Sequence, residues 1–284
     1  MRLFLSALLL SFGCALPAPS TGTPLAAHPG VAESFFQSRA RQTDLVGVAV
    51  YFPADAHGTP VREVAARPAL VLVPGGFVPG ERYGWLGAEL AQAGYVVAIP
   101  DQAGDLAFFS EENGEVARAL LVHPPQGSLL EGLVDPGRIA VAGHSLGGVV
   151  AVKNALGGGF HALVLLASFP DSADFARLGR LGMPSLSLAG EKDCKARVAV
   201  VAADWTRLPS PTVLAVVAGM THYQFTDDDA PDARGCPPAT PLPEAHARVV
   251  EALKTFLSAA LSTPPGTGAA TLRGQAGLLS VESR

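Results

Sequence analysis

A serine flanked by glycines is the residue of this chain best placed for chemistry. Ser145 is the central residue of the run GHSLG at 143–147, which fits the pattern G-x-S-x-G. An apolar run precedes it at 138–142, and a helical stretch follows it at 146–156. In a sharp turn from strand to helix, which we call the elbow, glycines relieve crowding and the serine is held above the sheet as a nucleophile. The alternative is a turn whose serine only caps the helix; the flanking elements favour the nucleophile.

A serine hydroxyl needs a base that removes its proton and a carboxylate that orients the base. His222 lies in the run GMTHYQF at 219–225, directly after the apolar run 212–217. The other histidines lie in the elbow, in a helical run, before a strand or in loops, namely His144, His246, His161, His28, His57 and His123. His222 is therefore the predicted base.

The predicted acid is Asp193, in the run GEKD at 190–193 that follows the apolar run 185–188. Its rivals are Asp171, which follows the preceding apolar run, and Glu191, two residues away. Asp193 could also be an ordinary turn or N-cap aspartate. The order serine, aspartate, histidine along the chain favours Asp193 as the acid.

A tetrahedral intermediate needs two N–H donors aimed at its oxyanion. The amide of Leu146, which follows the nucleophile, is the first predicted donor. The second is expected from the loop PGGF at 74–77, with Phe77 preferred and Gly76 the next choice. The alternative for this loop is plain turn chemistry, since glycine favours turns as well as close backbone approach.

The elements that must position these residues are short apolar runs separated by helical stretches. The runs that predict strands are 69–73, 95–99, 138–142, 162–166, 185–188 and 212–217. They are apolar throughout rather than alternating, which is typical of strands covered on both faces. Helices such as 85–93 and 146–156 lie between them, so the pattern predicts an α/β fold with a mostly parallel sheet and helices on both faces. The stretch 45–52 is expected to add an antiparallel edge.

Composition excludes two broad classes. The chain has 284 residues, of which 49% are hydrophobic and 16% charged, and its net charge is −5. Such a chain buries enough apolar surface to fold, so an acidic disordered protein is excluded. With a sequence pI of about 5.8 and no basic stripe, nucleic acid is not an expected partner.

Both ends of the chain are expected to lie outside the catalytic domain, which we place at 44–262. Residues 1–18 have the charge and apolar run of a secretory signal peptide, so an exported protein is expected. An alternative cleavage before Cys14 would give a lipoprotein attached to a membrane through a lipidated Cys14. Residues 19–43 are predicted to form a leader arm without regular structure, and residues 263–284 a flexible tail.

Cys194 and Cys236 are the cysteines that remain as ordinary thiols after either cleavage. Two cysteines in an exported domain more often pair than stay free, so a disulfide is expected, with two unrelated thiols as the alternative. Their spacing, without a companion CxxC or HxxxH, predicts no metal site.

With these motifs, residues 44–262 resemble the α/β-hydrolase superfamily. The short segment 170–184, where a lid would be, and the GEKD and GMTH runs resemble its dienelactone-hydrolase, chlorophyllase and cutinase-like polyester-hydrolase branch. The resemblance implies a Ser145, His222 and Asp193 triad that cleaves carboxylic esters through an acyl-enzyme, without a cofactor.

Two departures leave the substrate open, since true dienelactone hydrolases have a cysteine nucleophile and lipases have HGGG in the oxyanion loop. The expected partner is a small or polymeric ester. Trp85, Phe169 and Tyr223, together with Phe77, are candidate apolar walls, although ordinary packing explains each equally well. A Cys194–Cys236 bridge would resemble the disulfide near the active site of some secreted polyester hydrolases. The alternatives are a peptidase or amidase on the same fold and a catalytically silent binding module.

Overall fold

A single sheet organises the part of the chain that the structure describes. The computed structural model describes residues 25–28, 30–39, 45–62, 65–101, 111–230 and 235–284. Within these ranges the strand order is β1-β2-β3-β5-β4-β6-β7-β8-β9-β10. The strands are β1 (Leu25–His28), β2 (Val31–Arg39), β3 (Leu45–Pro53), β4 (Arg67–Val73), β5 (Val96–Pro100), β6 (Val134–His144), β7 (Ala162–Leu166), β8 (Ser185–Gly190), β9 (Thr212–Val217) and β10 (Leu278–Ser283).

The central strands are parallel and the outer ones antiparallel. Neighbours from β5 through β4, β6, β7 and β8 to β9 pair in parallel, with Val73 opposite Gly143 and His144 opposite Leu166. Their residues are almost entirely buried, as apolar runs without alternation require. Because parallel strands end at the same edge, the residues that follow β4, β6, β8 and β9 meet there.

Helices cover both faces of the sheet. They are α1 (Gly84–Gln92), α2 (Glu111–Val122), α3 (Leu146–Gly157), α4 (Val198–Trp205), α5 (Leu242–Ala260) and α6 (Ala269–Leu272). Between β7 and β8 the chain forms only a 3-10 segment, Ser172–Arg180. The predicted fold, a mostly parallel sheet with helices on both faces and a minimal lid, is confirmed.

The expected leader arm is corrected by β1 and β2. All nine residues of β2 pair antiparallel with β3, and Val31, Ala32 and Phe36 are buried in the core. The stretch from residue 45 is therefore antiparallel as predicted, but β2 covers it and it does not form the edge. The predicted signal peptide and Cys14 lie outside the described residues.

The expected flexible tail is also corrected. Residues 278–283 form β10, which pairs antiparallel with β9, and Arg284 exchanges two backbone hydrogen bonds with Thr212. Leu272 of α6 is fully buried against the core. The proline- and glycine-rich stretch 263–268 lets the chain turn back, and β10 then occupies the backbone groups that β9 would otherwise leave unpaired at an open edge.

Candidate active site

The turn between β6 and α3 holds Ser145 in a strained backbone conformation. Its φ is 53° and its ψ −123°, values that L-residues rarely adopt. A Cβ at Gly143 would lie 2.1 Å from the carbonyl oxygen of Gly147, and a Cβ at Gly147 would lie 2.3 Å from that of Pro74. Both glycines of the motif are therefore required sterically, and the side chain of Ser145 is left half-buried at the sheet edge.

Two hydrogen bonds from the neighbouring strand hold this strained peptide in place. The N–H of Ser145 donates to the carbonyl of Leu166 at 2.9 Å. The hydroxyl of Ser168 donates to the carbonyl of Ser145 at 2.5 Å. Ser168 is buried and follows β7, so the end of one strand supports the turn at the end of the next.

Asp193 and His222 form a buried hydrogen-bonded pair. Nδ1 of His222 lies 2.7 Å from Oδ2 of Asp193, and their side chains are 5% and 0% exposed. The second carboxylate oxygen accepts the backbone N–H groups of Lys195 and Ala196 at 2.8 and 2.7 Å. With the carboxylate ionised, Nδ1 donates, and the lone pair of the imidazole lies on Nε2. Asp193 therefore organises its own turn and also orients the histidine.

The pair lies against the elbow. The ring of His222 is 4.7 Å, centroid to centroid, from the ring of His144, the residue before Ser145. Among the described residues, no hydrogen bond joins Oγ of Ser145 to His222. The structure thus brings Asp193 and His222 together beside His144, the residue that precedes Ser145.

The rival acids have other partners. Asp171 caps the 3-10 segment by accepting the N–H of Ala173. Glu191 is exposed and accepts the N–H of Gly219, and this bond, together with Lys192, lowers the pKa of its carboxyl. Neither side chain is bonded to His222.

Within the described residues, backbone N–H groups of both predicted oxyanion segments remain available near Ser145. Gly75 donates its N–H to the hydroxyl of Tyr83 at 2.9 Å, which removes it from the candidates. The N–H groups of Gly76, Phe77 and Leu146 have no acceptor among the described residues. Phe77 has a positive φ of 62° and its side chain is 76% exposed.

A comparison with protein families assigns the chain. A family model described as "Alpha/beta hydrolase family" matches residues 69–232, more than half of the chain. The chain belongs to the α/β-hydrolase family. Membership indicates a hydrolase, and the matched range includes Ser145, Asp193 and His222. No curated protein matches the chain.

Of the candidate walls of this hydrolase, Tyr223 is at the site. It is half-buried beside His222, with ring centroids 5.9 Å apart, and its hydroxyl accepts a hydrogen bond from Nζ of Lys195 at 2.5 Å. Phe169 is partly buried against the core next to Ser168.

Trp85 lies in a different environment from the other candidate walls. Its ring stacks on His246 at 3.4 Å and helps to line a pocket of about 450 Å³ between α1 and α5. The residues that line this pocket do not include Ser145, Asp193 or His222.

Cys194 and Cys236 form a disulfide, as the pairing prediction expected. Cys194 directly follows the acid, so the bridge ties the Asp193 turn to the segment downstream of His222. A disulfide is compatible with an exported protein.

Removing this bridge by the double change Cys194→Ala and Cys236→Ala should destabilise the hydrolase. The cysteines are 42 positions apart, and a loop of that size corresponds to about 4 kcal/mol on the chain-entropy estimate. Urea unfolding of the oxidised protein and of the double variant measures the difference in the free energy of unfolding. A midpoint that does not change would show that the bridge constrains nothing in the unfolded chain.

Neither a metal site nor a membrane span is found in the described ranges. They contain no group of three or more histidine, cysteine, aspartate or glutamate residues able to hold a metal ion. No helix in them has the length and apolar character that crossing a bilayer requires. Tyr83 and Ser168, which bond to the 74–77 loop and to the elbow, are not among the residues predicted from the sequence. Ser168 could have been found, since it follows a strand at the active edge; Tyr83 has no such signal.

Proposed function

We propose that this hydrolase cleaves carboxylic esters through an acyl-enzyme on Ser145. The observation that carries the proposal is the 2.7 Å bond between His222 and the buried carboxylate of Asp193, beside a strained serine turn. A buried carboxylate that holds one imidazole nitrogen leaves the other nitrogen ready to accept a proton.

In the proposed reaction, rotation of the Ser145 side chain brings its hydroxyl to Nε2 of His222, which takes the proton as Oγ attacks the acyl carbonyl. The N–H groups of Leu146 and Phe77 stabilise the oxyanion. The intermediate collapses, and the alcohol leaves with the proton that His222 returns. Water then attacks the acyl-enzyme, His222 again acting first as base and then as acid, and the carboxylic acid is released.

The small size of the segment between β7 and β8 supports an open cleft and a substrate of modest acyl size or a polymeric ester. Asp174 anchors this segment to α3, since its carboxylate lies 3.1 Å from Nζ of Lys153. The exposed ring of Phe77 adds an apolar surface to the oxyanion loop. We propose that the protein belongs to the dienelactone-hydrolase, chlorophyllase and cutinase-like branch, a proposal that the short segment between β7 and β8 and the GEKD and GMTH runs support. Export is part of the same proposal, with release after signal cleavage and attachment through a lipidated Cys14 as its two alternatives.

Labelling and a substrate panel test the proposed activity. A fluorophosphonate probe should label the folded protein once, at Ser145, as peptide mass spectrometry would show. p-Nitrophenyl acetate and butyrate should be hydrolysed faster than the matching p-nitroanilides. Preferred anilide cleavage would instead identify an amidase, and absence of both labelling and turnover would identify a silent α/β-hydrolase fold.

A further inference from the structure

Tyr83 and His144 form a buried hydrogen-bonded chain that the proposed mechanism does not use. Tyr83 ends the 3-10 segment Gly80–Tyr83, and its side chain is fully buried. Its hydroxyl lies 2.8 Å from Nδ1 of His144 and accepts the N–H of Gly75 at 2.9 Å. The chain thus joins the oxyanion loop, 74–77, to the residue that precedes the nucleophile.

The direction of the bond between Tyr83 and His144 depends on the tautomer of the imidazole. A hydroxyl oxygen has two lone pairs, so Tyr83 can accept the N–H of Gly75 and also either donate to Nδ1 of His144 or accept from it. Burial holds the pKa of His144 well below its usual value, so the imidazole is neutral. In either neutral tautomer, one hydrogen bond joins the Tyr83 hydroxyl to Nδ1 of the ring.

Contacts around this chain leave the loop little freedom relative to the elbow. A Cβ at Gly75 would lie 3.0 Å from Nδ1 of His144 and 3.1 Å from the Tyr83 hydroxyl. A Cβ at Gly76 would lie 2.5 Å from the side chain of Leu146. The loop and the elbow therefore touch directly.

We propose that Tyr83 and His144 are positioning residues that fix the oxyanion loop on the elbow. By taking the N–H of Gly75, Tyr83 sets the orientation of the next peptides, so that the N–H of Phe77 converges with that of Leu146. The inference rests on the proposed function, because it assigns these residues to the oxyanion hole of that reaction. Small misplacements of such donors lower rates strongly without weakening substrate binding.

The change Tyr83→Phe tests this positioning role, since it keeps the ring and removes both hydrogen bonds. We expect kcat for p-nitrophenyl butyrate to fall by about 10- to 100-fold, with KM within about twofold of the original value. The matched control is Tyr51→Phe, which removes another largely buried hydroxyl, bonded to Glu33 at 2.7 Å and not to the 74–77 loop or to His144. Its kcat should not change. Equal effects of the two changes would overturn the proposal.

A second variant covers the case in which Tyr83→Phe does not fold. His144→Leu removes the hydrogen-bond partner of the Tyr83 hydroxyl at the other end of the chain and should lower kcat to a similar extent. If both single variants fold, combining them should cost little more than either one, because they remove the same link. Fully additive losses would show that the two residues act separately.

Hydrogen exchange separates failure of this inference from failure of the proposed function. Loss of the Tyr83 hydroxyl should speed amide exchange in the peptides that cover 74–78, while Tyr51→Phe should not. If the unmodified protein hydrolyses no ester, the proposed function fails and exchange still decides whether the chain holds the loop. Unchanged exchange in the variant would overturn the positioning role, whatever the activity.

Discussion

Replacement of Ser145 by alanine should abolish ester turnover while leaving the fold intact. Removing the nucleophile of such a triad lowers kcat by about 10⁴- to 10⁶-fold, because no other group can form the acyl-enzyme. Among the described residues, the hydroxyl of Ser145 has no hydrogen bond to lose. The melting temperature should therefore stay within about 2 °C of the original value. Initial rates with p-nitrophenyl butyrate and a thermal melt measure both quantities.

The control for this variant is Ser262→Ala, which removes an exposed hydroxyl bonded to the carbonyl of Ala259. It should keep full activity and full labelling by a fluorophosphonate. The prediction for Ser145 would be contradicted by a variant that still turns over ester above the rate of the control buffer. Such a result would mean that another group or bound water is the nucleophile.

The elbow could be predicted from the sequence because its determinants are local. A side chain at Gly143 would clash with the backbone of Gly147, which belongs to the same motif. A side chain at Gly147 would clash with Pro74 in the adjacent loop. The strand before them and the helix after them are strongly apolar, so their type was clear. The strained φ of Ser145 follows from joining these two elements without a longer connection.

Asp193 and His222 could be proposed from the sequence because the topology of a parallel sheet brings them to the same edge. The distance between them did not have to be known. Both follow apolar strands that run parallel in one sheet, and parallel strands end at one edge. The sequence left Asp171 and Glu191 as alternatives, since each also lies near such an edge. Only the structure distinguishes Asp193 from these two carboxylates. The orientation of the Asp193 side chain depends on the turn in which Lys195 and Ala196 donate their N–H groups to it.

The outer strands and the Tyr83 chain could not be predicted, for two different reasons. β10 is short and largely exposed, so its own sequence pattern does not predict a strand. It is a strand because it pairs with the free edge of β9. Tyr83 and His144 are 61 positions apart, and their bond depends on how the 3-10 segment after the oxyanion loop packs over the elbow. Both features arise from long-range packing rather than from propensity.

The change Asp193→Asn should lower kcat by about 10³- to 10⁴-fold, with much less effect on folding. An amide at this position has the right size, and its oxygen can still accept the N–H groups of Lys195 and Ala196, which hold the turn. Its NH₂ group would then face Nδ1 of His222 and donate to it. The proton of the imidazole would move to Nε2, the nitrogen that must accept a proton from Ser145.

Asp171→Asn and Glu191→Gln are the matched controls, since each neutralises a rival carboxylate by the same chemical change. Both should retain kcat, because neither side chain is bonded to His222. Steady-state kinetics of the three variants, with urea unfolding to confirm that each is folded, gives a direct comparison. The prediction would be contradicted if Glu191→Gln or Asp171→Asn lost activity while Asp193→Asn kept it. The carboxylate that orients His222 in solution would then not be Asp193, and the turn at 193–196 would have only a structural role.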